Sequence, residues 1–327
     1  MAAYIIRRLI YMIPTIIIIS LIAFTVIQLP PGDFLTSYIV QLESQGAQVT
    51  DEQVQSLKQR YGLGQPFYQQ YFKWVFGIVQ GDFGMSWNWN QPVKELIAER
   101  LPFTLVISFS TLLFTYIVAI PIGIYSAVKQ YSIGDYIFTT FGFLGLSIPN
   151  FLLALVLMFL FFTYFGVSIG GLFSSQYRDA AWSWGKFVDL INHLWIPIIV
   201  IGTAGTAGMI RIMRGVLLDE LGKDYVNTAR AKGVREWKVI IKHAVRIAIN
   251  PLISQAAFRL PQIISGAAIT SIVLGLPTTG PLLLEALQTQ DMYLAGSFIF
   301  LLSILTVIGT FFSDLLLAWI DPRISYD

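Results

Sequence analysis

One permanent cation, Arg259, lies inside an otherwise apolar stretch, residues 252–274. Ser254, Arg259, Gln262 and Ser265 follow one another at spacings of five, three and three, which places them along one broad face of a helix. Polar and charged groups are costly within a lipid-spanning segment and mark solute or ion paths when they are kept there. A guanidinium stays charged and offers a planar fork of donors that matches a carboxylate. The chemistry this face offers is therefore the handling of an anion in passage. Two assignments for Arg259 stay open on the residues alone. One lines a water-filled path, where it would attract a carboxylate on a passing solute. The other is a structural ion pair, with Asp314 in the last apolar stretch or with another subunit.

Other chemistries lack their residues. The chain has no cysteine, and its two histidines, His193 and His243, sit far apart in different kinds of segment. No His-Glu-x-x-His or Gly-x-Ser-x-Gly pattern occurs, so an intramembrane enzyme would have neither metal ligands nor a nucleophile elbow. Gly185-Lys186 and Gly222-Lys223 lack the flanking residues of a phosphate-binding loop. The expectation is a non-catalytic chain that holds no metal and no nucleotide of its own. A stand-alone secondary transporter or channel is the alternative; it would want acidic residues at mid-membrane, and Asp314 is the candidate.

A second stretch stands out because it is not oily. Residues 224–244 read DYVNTARAKGVREWKVIIKHA. Asp224 is placed to cap a helix starting at Tyr225, and Gly233 to end it in the left-handed conformation. A second helix is expected from Arg235 to Ala248, with Trp237, Ile240, Ile241, Ala244 and Ala248 on its apolar face and Lys238, Lys242 and Arg246 as a basic stripe. The first helix is small-faced, with Thr228, Ala229 and Ala231. Such a pair suits an anionic lipid surface, a DNA helix-turn-helix or a protein docking element. Tethers to apolar stretches at both ends speak against reading DNA. Lipid contact and docking remain level on these residues.

The elements that must position these groups are membrane spans. The chain is 327 residues, 55% hydrophobic and 12% charged, with the apolar residues in long blocks. Blocks of about 18 or more apolar residues are read as lipid-spanning helices, because lipid offers the backbone no hydrogen bonds. Six are expected: Leu9–Leu29, Phe103–Val128, Ile137–Phe165, Leu194–Met213, Leu252–Leu274 and Ala295–Ile320. The fold class is all-α and polytopic. Arg7-Arg8 before the first block has no cleavage site after it and reads as an uncleaved anchor. Pro14, Pro121, Pro149, Pro197 and Pro261 fall inside spans, as tolerated kinks or as hinges of a gate, and Ser147-Ile148-Pro149-Asn150 should bend the third.

Lys and Arg concentrate in 7–8, at Lys129, in 211–246 and at Arg323, whereas 275–294 holds Glu285 and Asp291 with no base. By the positive-inside rule both termini and the 224–248 pair face the cytoplasm. Three regions result: 1–29 as tail and first span, 30–102 as an external subdomain, and 103–327 as the core, with its basic segment at 218–250. In the external part, helices are expected at Thr50–Tyr61 and around Tyr68, Tyr71, Phe72, Val75 and Phe76, followed by a turn at Gly81-Asp82-Phe83-Gly84. Trp87, Trp89, Trp182, Trp184 and Trp195 read as an interfacial belt or as platforms for sugar rings.

Tyr225-Val226-Asn227-Thr228-Ala229-Arg230-Ala231-Lys232-Gly233, followed by His243-Ala244, Arg246 and Asn250-Pro251, resembles the coupling segment of ABC-transporter permeases, specifically of the oligopeptide/dipeptide family of binding-protein-dependent importers. Tyr4-Ile5-Ile6-Arg7-Arg8-Leu9, Gly81-Asp82-Phe83-Gly84-Met85-Ser86, Glu99-Arg100-Leu101-Pro102, Ser147-Ile148-Pro149 and Asp321-Pro322-Arg323 agree, in the family's order and over essentially the whole chain. One departure stands. The broader motif opens Glu-Ala-Ala and closes Ile-x-Leu-Pro, whereas Asn227-Thr228-Ala229 and His243, Val245, Arg246 occupy those places, so a role belonging to that Glu is not carried to Asn227.

The resemblance implies a type I ABC importer permease with six spans, in a prokaryotic cytoplasmic (inner) membrane. It implies docking of residues 224–248 into a cleft of an ATP-binding subunit through Tyr225, Thr228, Ala229, Ala231, Lys232, Gly233 and Trp237. Ala229, Gly233 and Trp237 carry most weight, Ala229 by packing in the cleft and Gly233 by close approach. Implied partners are a second homologous permease in a heterodimer, two ATP-binding subunits that hold ATP and Mg, and an extracytoplasmic solute-binding protein, with no nucleic acid. Peptides, or related solutes such as oligosaccharides, would pass along Ser254, Arg259, Gln262 and Ser265.

Overall fold

The computed structural model describes residues 2–28, 55–56, 65–86, 88–289 and 291–320. Most of the expected Thr50–Tyr61 helix, Trp87, the Asp321-Pro322-Arg323 segment and the side chain of Ser265 lie outside the described residues. The chain forms two compact units, one of residues 6–101 with 282–304, the other of residues 102–281 with both chain ends.

In the first unit, α1 (Ala2–Gln28) is continuous through Pro14, its apolar run long enough to cross a membrane between Ile5 and Val26. The helix α2 (Phe67–Val79) packs on it. Phe24, Trp74 and Phe300 are buried together with Tyr71, Val75 and Ile78 around them, and the Tyr71 hydroxyl bonds Ser20 at 2.7 Å. The expected aromatic face of α2 is therefore split. Tyr71 and Val75 turn inward with Trp74, whereas Tyr68, Phe72 and Phe76 are exposed on the other side. Two aromatic stripes on one short helix cannot both face the same neighbour.

The Gly81–Gly84 turn forms as expected. Both glycines have positive φ, 80° and 83°, and the Gly84 N–H donates to Asp82 Oδ1 at 2.9 Å. A two-residue antiparallel pair follows, β1 (Met85–Ser86) with β2 (Gln91–Pro92). Asp291 accepts from the Ser86 hydroxyl at 2.5 Å and Glu285 accepts from Asn88 Nδ2 at 3.0 Å, so the two acids of the base-free 275–294 segment pin this hairpin.

The second unit is built on long helices: α3 (Val93–Val128), which starts in the first unit, α4 (Ile133–Ser147), α5 (Asn150–Phe165) and α6 (Trp184–Leu221). The bend expected at Ser147–Asn150 is a break of 103° between α4 and α5. Pro121 and Pro197 leave α3 and α6 continuous. Then come α7 (Asp224–Ala231), α8 (Glu236–Lys238), a π-helical stretch (Val239–Val245), α9 (Arg246–Ala248), α10 (Asn250–Gly266) and α11 (Ala268–Val273), with α12 (Thr279–Gln288) and α13 (Met292–Ile320) toward the end. Among the described residues four helices are long and apolar enough to cross a membrane, or five with the bent pair taken as one span. The expected fifth span, Leu252–Leu274, is two helices, α10 and α11, interrupted at Ala267.

Small residues set the closeness of these helices. A Cβ on Gly123 of α3 would fall 2.6 Å from Met213 Cβ of α6, and one on Gly202 of α6 would fall 3.0 Å from Phe114 of α3. Without a hydrophobic drive between helices in lipid, such backbone approach is what packs them.

Candidate functional site

The 224–248 pair forms a ledge rooted in the second unit. Val226 and Ala229 of α7, Val239, Ala244 and Ala248, and Leu252 of α10 are buried in one cluster with Ala119 and Ala127 of α3 and Met209, Met213 and Leu217 of α6. The first helix begins one residue earlier than expected. Lys223 occupies the cap position, no side chain caps it, and Asp224 is the first helical residue, where its charge still complements the helix dipole.

The end of α7 is as expected and complete. Gly233 has φ 75°, its N–H donates to Arg230 O at 2.9 Å, and the Val234 N–H reaches back to Ala229 O at 3.3 Å. These two bonds define the Schellman closure, which requires a left-handed residue at this place. A Cβ on Gly233 would meet nothing within 4 Å. The space beside it is open.

The second helix is not a plain α-helix. Bonding to the fifth residue across Val239–Val245 spreads each turn, so Val239 and Ala244, five apart, fall on the same buried side. The expected apolar face is corrected accordingly. Val239, Ile240, Ala244 and Ala248 are buried, whereas Ile241 is 51% and Trp237 59% exposed. Lys238, Lys242 and Arg246 are exposed as expected, and the Lys238 ammonium lies 5.5 Å from the Trp237 ring centroid. Ala229 is corrected too: at 8% exposure it packs inside its own chain. Of the seven expected docking residues, Tyr225, Thr228, Ala231, Lys232, Gly233 and Trp237 are on the outward surface.

Side-chain clasps brace the ledge and the helices it is rooted in. Glu220, buried near the end of α6, accepts from Lys223 Nζ at 2.6 Å and from the Tyr225 hydroxyl at 2.5 Å. Arg230 pairs with Glu236 at 2.9 Å across the elbow. The Arg230 guanidinium holds the Glu236 carboxyl below its ordinary value and is itself raised in turn. Arg214 of α6 grips Asp135 of α4 with two bonds of 2.9 Å, and Asp135 also accepts from the Tyr131 N–H at 3.0 Å. Sequence reading missed this pair. Its one signal is Ser132 followed three residues later by Asp135, a helix-start pattern, and Ser132 does cap α4.

On α10, Ser254 spends its hydroxyl on its own helix, donating to Asn250 O at 3.1 Å. Gln262 is exposed. Arg259 reaches across to α6, where Nη1 donates to Gly205 O at 3.4 Å. The alternative of an ion pair between Arg259 and Asp314 does not form, and among the described residues no carboxylate lies within 4.0 Å of this guanidinium. The receiving surface was also missed. Residues 202–208 read GTAGTAG, a small-residue repeat whose glycines Gly205 and Gly208 face Arg259. Trp182 is tied up structurally, stacked on Phe103 at 6.3 Å and under the buried Lys186 ammonium at 5.4 Å.

The sequence matches two family models: residues 119–326 that of the binding-protein-dependent transport system inner membrane component, and residues 1–108 that of its N-terminal part. Among similar proteins are the oligopeptide transport system permease protein AppB of Bacillus subtilis, 36% identical over the full length of both chains, and the dipeptide transport system permease protein DppB of Escherichia coli K12, 31% identical with 100% and 99% of the two chains covered. The oligopeptide transport system permease protein OppB of Haemophilus influenzae is 31% identical over all of both chains.

Proposed function

The chain belongs to the family of binding-protein-dependent transport system inner membrane components, and from that premise we propose that it is the peptide-translocating permease subunit of an ATP-driven importer. Membership makes it a multi-pass inner-membrane protein. The peptide cargo rests on the names carried by the full-length relatives.

The observation that carries the mechanism is the ledge. Its buried side is continuous with α3, α6 and α10, and its outward side is small, aromatic and basic. A force applied to Trp237 or Lys232 is transmitted into the spans, because Val226, Ala229, Val239, Ala244 and Ala248 are locked against Met213 and Leu217. In this reading the ledge lies in the cytoplasm and seats in a cleft of an ATP-binding subunit. ATP and Mg are held by two such subunits, whose closure moves the ledge and switches the path between outward and inward access. A second, homologous permease completes the path, and an extracytoplasmic binding protein delivers the peptide. The chain itself performs no hydrolysis.

The test is co-purification from the native host without overexpression, comparing the native chain with Gly233→Asp. ATP-binding subunits should accompany the native chain and be lost, about tenfold or more, from the variant, since a carboxylate at Gly233 strains the left-handed turn and puts an unpaired charge at the docking surface. A native chain purifying alone, with the variant indistinguishable, would move the ledge to the lipid surface and end this reading.

A further inference from the structure

Arg259 is the charged group that the coupling mechanism leaves unused. Its head rests on Gly205, close to the middle of α6, the 38-residue helix Trp184–Leu221. The reason it fits is the absence of side chains there. A Cβ on Gly205 would stand 3.3 Å from Nη1, and one on Gly208 would stand 3.8 Å from Nη2. A guanidinium has five N–H donors in a fixed fork. Among the described residues one of them is used, toward Gly205 O at 3.4 Å, a distance beyond the ordinary range for such bonds.

The surroundings are polar in a way a lipid-facing surface is not. Thr115 Oγ1 lies 3.7 Å from the same Gly205 position, and the buried Thr206 hydroxyl donates to it at 3.5 Å. One turn away the buried Thr111 hydroxyl has no partner among the described residues. Beyond Gly208 the wall is Leu146, at the end of α4 beside the 103° break. A cation within a span that has, among the described residues, one weak acceptor and no carboxylate is an expensive arrangement. It is poised for an anion.

We propose that Arg259, seated in the Gly205–Gly208 groove of α6, is a carboxylate subsite of the transport path, engaging the free C-terminal carboxylate of a peptide as it passes. The inference rests on reading this chain as a peptide permease. Two short charge-assisted bonds replace one long bond to a carbonyl, and the fork geometry favours a planar two-oxygen acceptor over an amide. The site therefore discriminates after the binding protein has released its cargo.

The test uses the assembled transporter in proteoliposomes, with trialanine and trialanine amide each supplied at concentrations that saturate the binding protein. Native transporter should carry the acid faster than the amide by roughly tenfold, the worth of a charge-assisted bond. Arg259→Gln should bring the ratio toward one while ATP-binding subunits still co-purify, and Arg259→Lys should retain part of the preference. Gly205→Ala, which crowds Nη1, should lower the ratio without removing the charge. Equal uptake of acid and amide by the native transporter overturns the proposal whether or not any variant assembles. So does an unchanged ratio in an assembled Arg259→Gln. If native transporter carries neither peptide although ATP-binding subunits co-purify, the peptide reading fails, and the subsite with it. Loss of ATP-binding subunits from Gly233→Asp is scored separately and bears on docking alone.

Discussion

At the scale of single residues, the buried pair Asp135–Arg214 is the interaction whose loss should be felt most. The Asp135 side chain is 3% exposed and that of Arg214 26%, and the two meet in a bidentate grip with bonds of 2.9 Å. Asp135 also holds the Tyr131 N–H, and Tyr131 sits at φ 62°, a conformation that costs a non-glycine residue about 1 kcal/mol or more. One carboxylate thus neutralises a half-buried cation, fixes a strained turn and joins α4 to α6. Asp135→Asn keeps the volume and removes the charge. Breaking a buried pair from one side costs about 3–5 kcal/mol, because the other charge stays behind. The expected result is a large fall in the unfolding temperature of the purified chain in detergent. Arg214→Lys, which keeps the charge and loses the fork, should fall less. An Asp135→Asn protein as stable as the native one would show that water already satisfies Arg214. The Arg230–Glu236 pair is the contrast: it is exposed on both sides, and pairs of that kind contribute about 0–1 kcal/mol.

At the scale of elements, the π-helical stretch decides which side of the ledge is outward. Deleting the exposed Ile241 should return residues 236–248 to ordinary α-helical bonding and leave Val239, Ala244 and Ala248 four apart on one face. Thermal unfolding of that deletion should stay within about 1 kcal/mol of native, whereas Ala244→Asp, which buries a charge where the native residue is 0% exposed, should prevent folding of the ledge. A deletion as damaging as the substitution would mean that the extra residue is needed for packing. This stretch also marks the limit of what sequence periodicity reveals. An i, i+3, i+4 reading put Trp237 and Ile241 with Ile240 and Ala244 because it assumed 3.6 residues per turn, and tertiary packing chose a wider turn. The Gly233 closure was legible because the left-handed place after a helix selects glycine chemically. The span blocks were legible because a run of apolar residues needs no neighbour to be read. Arg259 stood out for the same local reason, but the groove that receives it did not. GTAGTAG at 202–208 looks like any mild span until α10 is laid across it. The split face of α2 failed similarly, since two aromatic stripes give no sign of which one meets Phe24.

At the scale of the whole molecule, everything proposed for the ledge depends on which side of the membrane it lies. The helix α6 leads from Trp184 to Leu221, 38 residues, about 57 Å at 1.5 Å per residue, against a hydrocarbon core of about 30 Å. Its two ends must therefore emerge on opposite sides. The basic residues cluster over its last turns and just beyond, at Arg211, Arg214, Lys223, Arg230 and Lys232, the pattern the positive-inside rule expects of a cytoplasmic end. The chain contains no cysteine, so a single introduced thiol reports its own position without background. Trp184 is 78% exposed and Trp237 59%, which makes each substitutable without opening a core. On intact cells stripped of their outer layers, a membrane-impermeant maleimide should modify Trp184→Cys and spare Trp237→Cys. In inside-out vesicles the pattern should reverse, and washing off the ATP-binding subunits should raise the labelling of Trp237→Cys further, since a docked subunit covers it. Labelling of both from one side would contradict a single crossing by α6 and with it the cytoplasmic ledge. Labelling with reversed sides would place Lys238, Lys242 and Arg246 outside, where no ATP-driven partner can reach them. Labelling of Trp237→Cys in inside-out vesicles that is indifferent to the wash would keep the topology and remove the docked subunit. The three failures fall on different links of the argument, which is why this pair of thiols separates orientation from coupling.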